Sequence, residues 1–349
     1  MELVGRRLWS ALSSLTRCNA YIGTLLISLF CCDSTHPLSS SQDIYLIPCV
    51  GAKRLGTTSY RDKKKGKRDT MVADLALNTI PPSRPHTHTV IFLHNKQIFA
   101  RDTVNQLHEA TDLSWRSIIQ NFASTRWVFP QAPTDEPLVP SLLSISTGIQ
   151  HAVHRGQSSW WRSDVDGGDE ERRLRNMLPG LRERTRELQK VIRNEVAMLG
   201  GHWDRIILGG IGQGAGMAMM TLMGLEGNSS MDVGGSIPQK LGCFVGISAE
   251  LPVSDTRLSS IQQLLSPHGI LPAENQVLKK TPVMLQYCRN GGDAYMERGR
   301  AFRDLLVESG VENVCWKEYE DGYPFLNSPR GVEDMKEFFK DRMNMRPNW

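Results

Sequence analysis

The sequence predicts an α/β fold with a mostly parallel central sheet and helices on both faces. From about residue 85 to the C-terminus, short apolar runs alternate with segments of helical periodicity. The first strong run is continuously apolar, which is typical of strands that are buried on both sides. The composition is 40% hydrophobic and 22% charged, which is sufficient for a sizeable core. We therefore predict an N-terminal extension at 1–84 and one domain at 85–349.

The elements of this domain follow in order. The apolar runs predict strands at Val90–Leu93, Trp127–Phe129, Arg205–Leu208, Leu241–Ile247, Pro282–Gln286 and Cys315–Tyr319. Helical periodicity predicts helices at Leu181–Leu199, Ala215–Met220, Arg298–Val307 and Val332–Lys340. The segment at 134–165 is rich in Pro, Ser and Gly, so we expect it to be a loop excursion.

The extension at 1–84 is expected to be poorly ordered. Its basic run at 53–68 favours a solvated linker over a nuclear-targeting, nucleic-acid-binding or anionic-lipid-binding patch. Its apolar run at 21–32 is too short to span a bilayer but long enough for a signal sequence, so a secreted or membrane-associated protein remains an alternative to a cytoplasmic one. Because the domain-like pattern begins shortly after Met71, a second alternative is that residues 1–70 lie upstream of the true start.

The cysteines and histidines indicate neither a disulfide scaffold nor a metal site. Seven cysteines occur without paired spacing, which is typical of reduced thiols in the cytosol. His86 and His88 stand two residues apart before the first strand, and we interpret both as structural. We therefore expect no metal and no cofactor.

A glycine-rich turn joins a predicted strand to a predicted helix and reads Gly209-Gly210-Ile211-Gly212-Gln213-Gly214. Its spacing matches the nucleophile elbow G-x-S-x-G except at the centre, where Gly212 replaces serine. Small flanking residues allow the strand and the helix to approach closely, and Gly210 and Gly214 meet that need. A phosphate-binding loop is disfavoured because no Lys-Ser/Thr pair follows.

Four segments of this chain match motifs that occur together, and in the same order, in one known family of proteins. They lie at 89–94, 126–130, 205–214 and 316–320. On these segments the chain resembles the acyl-protein thioesterase/carboxylesterase (phospholipase-carboxylesterase) family over about residues 85 to 340. The resemblance implies an α/β-hydrolase fold with a Ser-Asp-His triad that acts on acylated proteins, lysophospholipids or carboxylic esters.

The resemblance also locates departures from that triad. The family's nucleophilic serine falls on Gly212, its acid on Asp293, and its histidine at or beside Pro324. No histidine follows His268, so a base downstream of the acid is missing whatever the alignment. The family's His-Gly oxyanion loop becomes His94-Asn95-Lys96, which puts one N–H donor in doubt, whereas the N–H of Gln213 is expected to remain.

Several other residues are candidates for binding or for replacement chemistry. Trp160 and Trp161 match a family element, and they either line an acyl pocket or simply pack the lid. His94 is interpreted as a satisfied loop histidine in preference to a base, Cys243 as core, and Cys288 as a nucleophile candidate without an activating partner.

Two functions remain open on these grounds. The first is a hydrolase-fold protein that is inactive as a serine hydrolase and binds an acyl chain, an ester-type small molecule or an unidentified protein. The alternative is an enzyme, either an ester or thioester hydrolase that uses a non-standard nucleophile or a non-hydrolytic catalyst that uses the oxyanion hole. A decayed paralogue is a third alternative. Nucleic acid is not an expected partner, and a membrane contact would depend on residues 21–32.

Overall fold

A computed structural model describes residues 75–134, 158–161, 170–225, 239–252 and 275–347. The apolar run at 21–32, the basic run at 53–68 and most of the loop at 134–165 lie outside these residues. Within the described part of the chain, no helix has the length and apolar character needed to cross a membrane.

Within the described part of the chain, seven strands form one sheet in the order β1-β3-β2-β4-β5-β6-β7. All neighbours pair in parallel except β1, which runs antiparallel to β3. The strands are β1 (Leu77–Ile80), β2 (His88–Leu93), β3 (Thr125–Pro130), β4 (Ile206–Ile211), β5 (Cys243–Ile247), β6 (Val283–Cys288) and β7 (Val314–Tyr319). The mostly parallel sheet is therefore confirmed.

Among the described residues, seven α-helices connect or flank these strands. They are α1 (Ala100–Glu109), α2 (Ile118–Asn121), α3 (Glu170–Met198), α4 (Gln213–Met223), α5 (Gln276–Lys280), α6 (Asp293–Glu308) and α7 (Arg330–Met343). Short 3₁₀ turns at Trp203–Arg205 and Arg289–Gly291 precede β4 and follow β6.

The helices cover both faces of the sheet, as predicted. Successive residues of a strand point to opposite faces, so β2 sends Ile91 and Leu93 into one apolar cluster and Val90 and Phe92 into the other. The first cluster includes residues of α3, α4, α5 and α6. The second includes residues of α1, α2 and α7. Burial on both faces explains why the run Val90–Leu93 within β2 is continuously apolar in sequence.

The sheet begins before the domain boundary that we predicted at residue 85. β1 pairs with β3 through the register Leu77 to Pro130 and Ile80 to Trp127. Its residues are mostly exposed, so backbone hydrogen bonds rather than an apolar face hold this edge strand in place. A short strand without an apolar pattern leaves no periodic signal in the sequence. Our prediction therefore assigned these residues to the extension.

Helix α3 also begins earlier than the predicted Leu181, because it continues through Pro179 to Glu170. A proline inside a helix removes one hydrogen bond and crowds the preceding turn. Leu174, Met177 and Leu178 nevertheless pack against the core at helical spacing. This packing offsets the loss at Pro179 and carries the helix upstream.

Candidate functional site

The junction between β4 and α4 has the geometry of a tight strand-turn-helix elbow. Gly212 is the residue between the two elements and has φ 55° and ψ −121°. This conformation is strained for residues that carry a side chain. A Cβ atom at Gly210 would lie 2.6 Å from the carbonyl oxygen of Leu93, and one at Gly214 would lie 2.3 Å from that of His94. Both glycines are therefore needed for the close approach, as predicted.

The side chain of Asn95 fills the space above Gly212. A Cβ atom at Gly212 would lie 2.2 Å from Asn95 Oδ1 and 2.5 Å from Asn95 Cγ. The same Oδ1 accepts hydrogen bonds from the backbone N–H of Lys96 at 2.8 Å and from that of Gln213 at 3.1 Å. Two backbone donors, one from the loop after β2 and one from the first residue of α4, thus converge on one carbonyl oxygen. We expected one donor to be in doubt, but the structure places both within hydrogen-bonding distance of this oxygen.

Comparison with known proteins places this chain beside a group of hydrolases. No family model matches the chain. Acyl-protein thioesterase 1 of Gibberella zeae is 26% identical over 264 residues, which cover 75% of this chain and 94% of the relative. Acyl-protein thioesterase 1 of Yarrowia lipolytica is 25% identical over 247 residues, which cover 69% of this chain and 86% of the relative. The chain resembles acyl-protein thioesterases.

The solved structure of esterase PE8 shows the same fold. Esterase PE8 superposes with a TM-score of 0.51 at 18% identity and covers 77% of this chain and 100% of its own. Acyl-protein thioesterase 2 of Zea mays has a TM-score of 0.46 at 19% identity and covers 77% of this chain and 99% of its own. With the strand order described above, the chain has an α/β-hydrolase fold.

Gln213 connects the hydrolase elbow to the short described segment that carries two tryptophans. Its Oε1 accepts a hydrogen bond from the backbone N–H of Trp160 at 2.7 Å, and its Nε2 donates to the carbonyl oxygen of Trp161 at 2.8 Å. The indole N–H of Trp160 donates to the carbonyl oxygen of His94 at 2.9 Å. All of these side chains are buried. The tryptophans therefore pack in the core beside the elbow.

His94 is fully buried, and both of its ring nitrogens are engaged. Nδ1 lies 2.7 Å from the carbonyl oxygen of Asn95, and Nε2 accepts the backbone N–H of Ala132 at 2.9 Å. A carbonyl oxygen can only accept, so Nδ1 carries the proton and the ring is neutral. Burial lowers the pKa of His94 and favours this neutral form. This geometry agrees with a satisfied structural histidine rather than a base for the elbow.

His88, a second histidine whose pKa is lowered by burial, provides a test of how stability depends on pH. Burial, reinforced by the charge of Arg205, lowers the pKa of His88 to about 4. A depressed folded-state pKa contributes stability that is complete above the unfolded value of about 6.5 and is lost as pH falls toward 4. Because the ring is only partly buried, we expect a loss of about 1–2 kcal/mol. Melting temperature should fall more steeply between pH 7 and pH 4.5 in the unaltered protein than in His88→Gln.

The matched control for this prediction is His202→Gln, because the side chain of His202 is 51% exposed. Its melting curve should follow that of the unaltered protein across the same pH range. Equal slopes for His88→Gln and the unaltered protein would contradict the assignment of the lost stability to His88.

Sequence reasoning missed Glu250, which follows β5. Its carboxylate lies 3.2 Å from the Nζ of Lys96, and its backbone N–H donates to the carbonyl oxygen of Gly212 at 3.0 Å. The pair is roughly one-third exposed. It connects the loop after β2 to the loop after β5 across the elbow. Opposite charges at 96 and 250 were visible in the sequence, but nothing local indicated that they meet.

The positions to which the resemblance assigns the acid and the base follow β6 and β7, at the same edge of the sheet as the elbow. Asp293 is the exposed first residue of α6. Pro324 lies in the loop after β7, where the N–H of Tyr323 donates to Asn290 Oδ1 at 3.1 Å. This bond joins the loop after β7 to the loop after β6.

The two cysteines considered as replacement nucleophiles are both buried. Burial raises the pKa of Cys243 well above its ordinary value, and its Sγ lies 3.5 Å from Met343 Sδ. Burial and the charge of Asp321 raise the pKa of the Cys288 thiol to about 11. A thiol with so high a pKa is almost entirely protonated at neutral pH, and the thiolate is the reactive form. Neither cysteine is therefore an activated nucleophile.

Proposed function

We propose that this protein is a hydrolase-fold protein that does not hydrolyse esters or thioesters and instead binds an acyl or ester-type ligand. The observation that carries the proposal is the contact between Asn95 and Gly212. In a serine hydrolase, the space above the elbow holds the nucleophile side chain, and the adjacent N–H groups receive the developing oxyanion. Here the first space contains no nucleophile, and Asn95 Oδ1 accepts from both N–H groups.

Two departures from the family pattern complement each other in space. The family's serine corresponds to Gly212, which has lost a side chain, and the glycine of its His-Gly loop corresponds to Asn95, which has gained one. The carboxamide of Asn95 occupies the volume that a Cβ atom at Gly212 would need. The complementary pair supports a packed, non-catalytic site rather than an empty one.

The available bases and nucleophiles also favour this proposal. No histidine follows His268 in the sequence, and both nitrogens of His94 are engaged away from the elbow. In a serine hydrolase, loss of the nucleophile or the base reduces kcat by roughly 10⁶-fold, and loss of both costs little more. Conventional turnover of esters or thioesters should therefore be absent.

The binding part of the proposal rests on what remains of the site. Two converging N–H donors suit a carbonyl or carboxylate oxygen. The curated relatives are named as thioesterases of acyl proteins. An acyl chain that ends in a carbonyl or carboxylate group supplies an oxygen that matches these two donors.

The test is hydrolysis of p-nitrophenyl butyrate and of an acyl thioester by the full-length protein. We expect rates equal to those of the heat-denatured protein, and no covalent labelling by a serine-directed fluorophosphonate probe. A known serine esterase is the positive control for both assays. Hydrolysis above background would contradict the proposal, and its loss in Cys288→Ala would identify a cysteine hydrolase instead.

A further inference from the structure

The converging N–H groups of Lys96 and Gln213 are already bonded to an oxygen atom of the chain itself. The acceptor is an uncharged amide oxygen, Asn95 Oδ1, at 2.8 Å and 3.1 Å. These are the distances at which such a site would hold the oxygen of a bound carbonyl or carboxylate group. Asn95 thus stands in for a ligand in the position that a ligand oxygen would take.

We propose that the carboxamide of Asn95 is an intramolecular ligand of this site, and that an acyl-chain carboxylate binds only when the carboxamide leaves. This inference rests on the proposed function and specifies how access to its site is controlled. The ligand class follows from the donors. The two N–H groups donate to an oxygen, the N-terminus of α4 favours negative charge, and the ammonium group of Lys96 lies beside the loop.

The energetic cost of displacement falls in a range that regulates binding without preventing it. A ligand must replace two hydrogen bonds that Asn95 already makes. The net free energy of each bond is modest, because N–H groups that lose Asn95 can bond to water or to the ligand instead. Asn95 and Lys96 are partly exposed at this edge, so the carboxamide can rotate outward without crossing the core. A carboxylate makes stronger, charge-assisted bonds than an amide oxygen and can therefore compete for the same donors.

The charge of Glu250 is a second feature that lowers the affinity of the site for a carboxylate ligand. The carboxylate of Glu250 lies 3.2 Å from the Nζ of Lys96. It pairs with the ammonium group that would otherwise attract the carboxylate of the ligand. Glu250→Gln removes this competitor and leaves Asn95 in place. It should therefore increase affinity for a carboxylate, but less than removal of Asn95 does, because the pair is partly screened by water.

The experiment compares the unaltered full-length protein with three substitutions at asparagine positions. Asn95→Ala removes the proposed intramolecular ligand. Asn95→Asp keeps an oxygen acceptor on the two N–H groups and adds a negative charge. Asn290→Ala is the matched control, because Asn290 Oδ1 also accepts a backbone N–H at this edge of the sheet, from Tyr323. Sodium decanoate is the probe, and calorimetry measures its affinity.

We expect Asn95→Ala to bind decanoate at least tenfold more tightly than the unaltered protein, a change equivalent to about 1.4 kcal/mol. Asn95→Asp should bind no more tightly, because its carboxylate holds the N–H groups and repels the probe. Asn290→Ala should match the unaltered protein. In hydrogen exchange followed by NMR, the N–H groups of Lys96 and Gln213 should lose protection in Asn95→Ala without decanoate and regain it with decanoate.

Equal affinity in Asn95→Ala and the unaltered protein would overturn this inference, provided that circular dichroism shows both to be folded. Unchanged protection of the Gln213 N–H in Asn95→Ala would also overturn it, and so would undetectable binding in every variant. The absence of hydrolysis is measured separately on the unaltered protein. A result that contradicts the role of Asn95 is therefore distinguishable from one that contradicts the proposed non-catalytic function.

Discussion

Gly212→Ser is expected to destabilise the protein without producing an esterase. The new Cβ would lie 2.2 Å from Asn95 Oδ1, so the carboxamide must leave its two N–H partners. Serine must also adopt φ 55°, which costs about 1–3 kcal/mol. Two lost hydrogen bonds add about 0.5–1.5 kcal/mol each. Thermal unfolding should show a melting temperature lower by about 5 °C or more, at about 2–4 °C per kcal/mol.

A double-mutant cycle with Asn95→Gly isolates the contact from the backbone strain. In the Asn95→Gly background, serine at 212 meets no carboxamide and retains only the cost of its backbone conformation. The effect of Gly212→Ser should therefore be about 1–3 kcal/mol smaller there, as is usual for residues in direct contact. Additive effects of the two substitutions would show that the side chains do not compete for one space.

Esterase activity provides the second measurement on the same variants. Gly212→Ser and the double variant should both remain at the background rate, because a serine hydroxyl without a base is a weak nucleophile. His94 cannot supply that base while its nitrogens bond Asn95 and Ala132. Substantial hydrolysis by either variant would mean that an unrecognised base lies within reach of position 212.

Gly216→Ala is expected to have the other large effect. Gly216 lies in α4, and a Cβ atom there would lie 1.7 Å from the carbonyl oxygen of Glu250 and 3.1 Å from Trp161 Cη2. The Glu250 backbone is itself hydrogen-bonded to Gly212, so this segment cannot simply withdraw. Overpacking of this kind costs about 1–3 kcal/mol and occasionally more. We expect a value at or above the upper end, measured by denaturant unfolding.

The matched control is Gly180→Ala in α3. Gly180 is exposed, and a Cβ atom there would meet no other atom within 4 Å. Alanine in place of glycine in an open helical position should stabilise the protein by roughly 0.5–1 kcal/mol. The same chemical change is therefore expected to have opposite signs at 180 and 216. A neutral result for Gly216→Ala would show that the loop after β5 can move away from the helix.

Much of the fold was predictable because it leaves periodic signals in the sequence. The segment Val90–Leu93 of β2 and strand β4 are continuously apolar because helices bury both of their faces, and the glycines of the elbow are visible in the sequence. The structure differs from the sequence prediction at β1 and at the start of α3, and the two differences have opposite causes. Strand β1 has exposed residues and is held by backbone hydrogen bonds, so it carries no apolar signal. Helix α3 passes Pro179 because distant core contacts outweigh a local helix-breaking signal.

For the candidate site, the residue types were readable and their contacts were not. The sequence shows a glycine at 212, an asparagine at 95 and no histidine after 268, and these are sufficient to question serine-hydrolase chemistry. Local patterns describe one segment at a time, whereas Asn95 and Gly212 meet only because β2 and β4 are neighbours in the sheet. Folding brings their loops to one edge, and hard-sphere exclusion and hydrogen-bond geometry then place the carboxamide between two N–H groups.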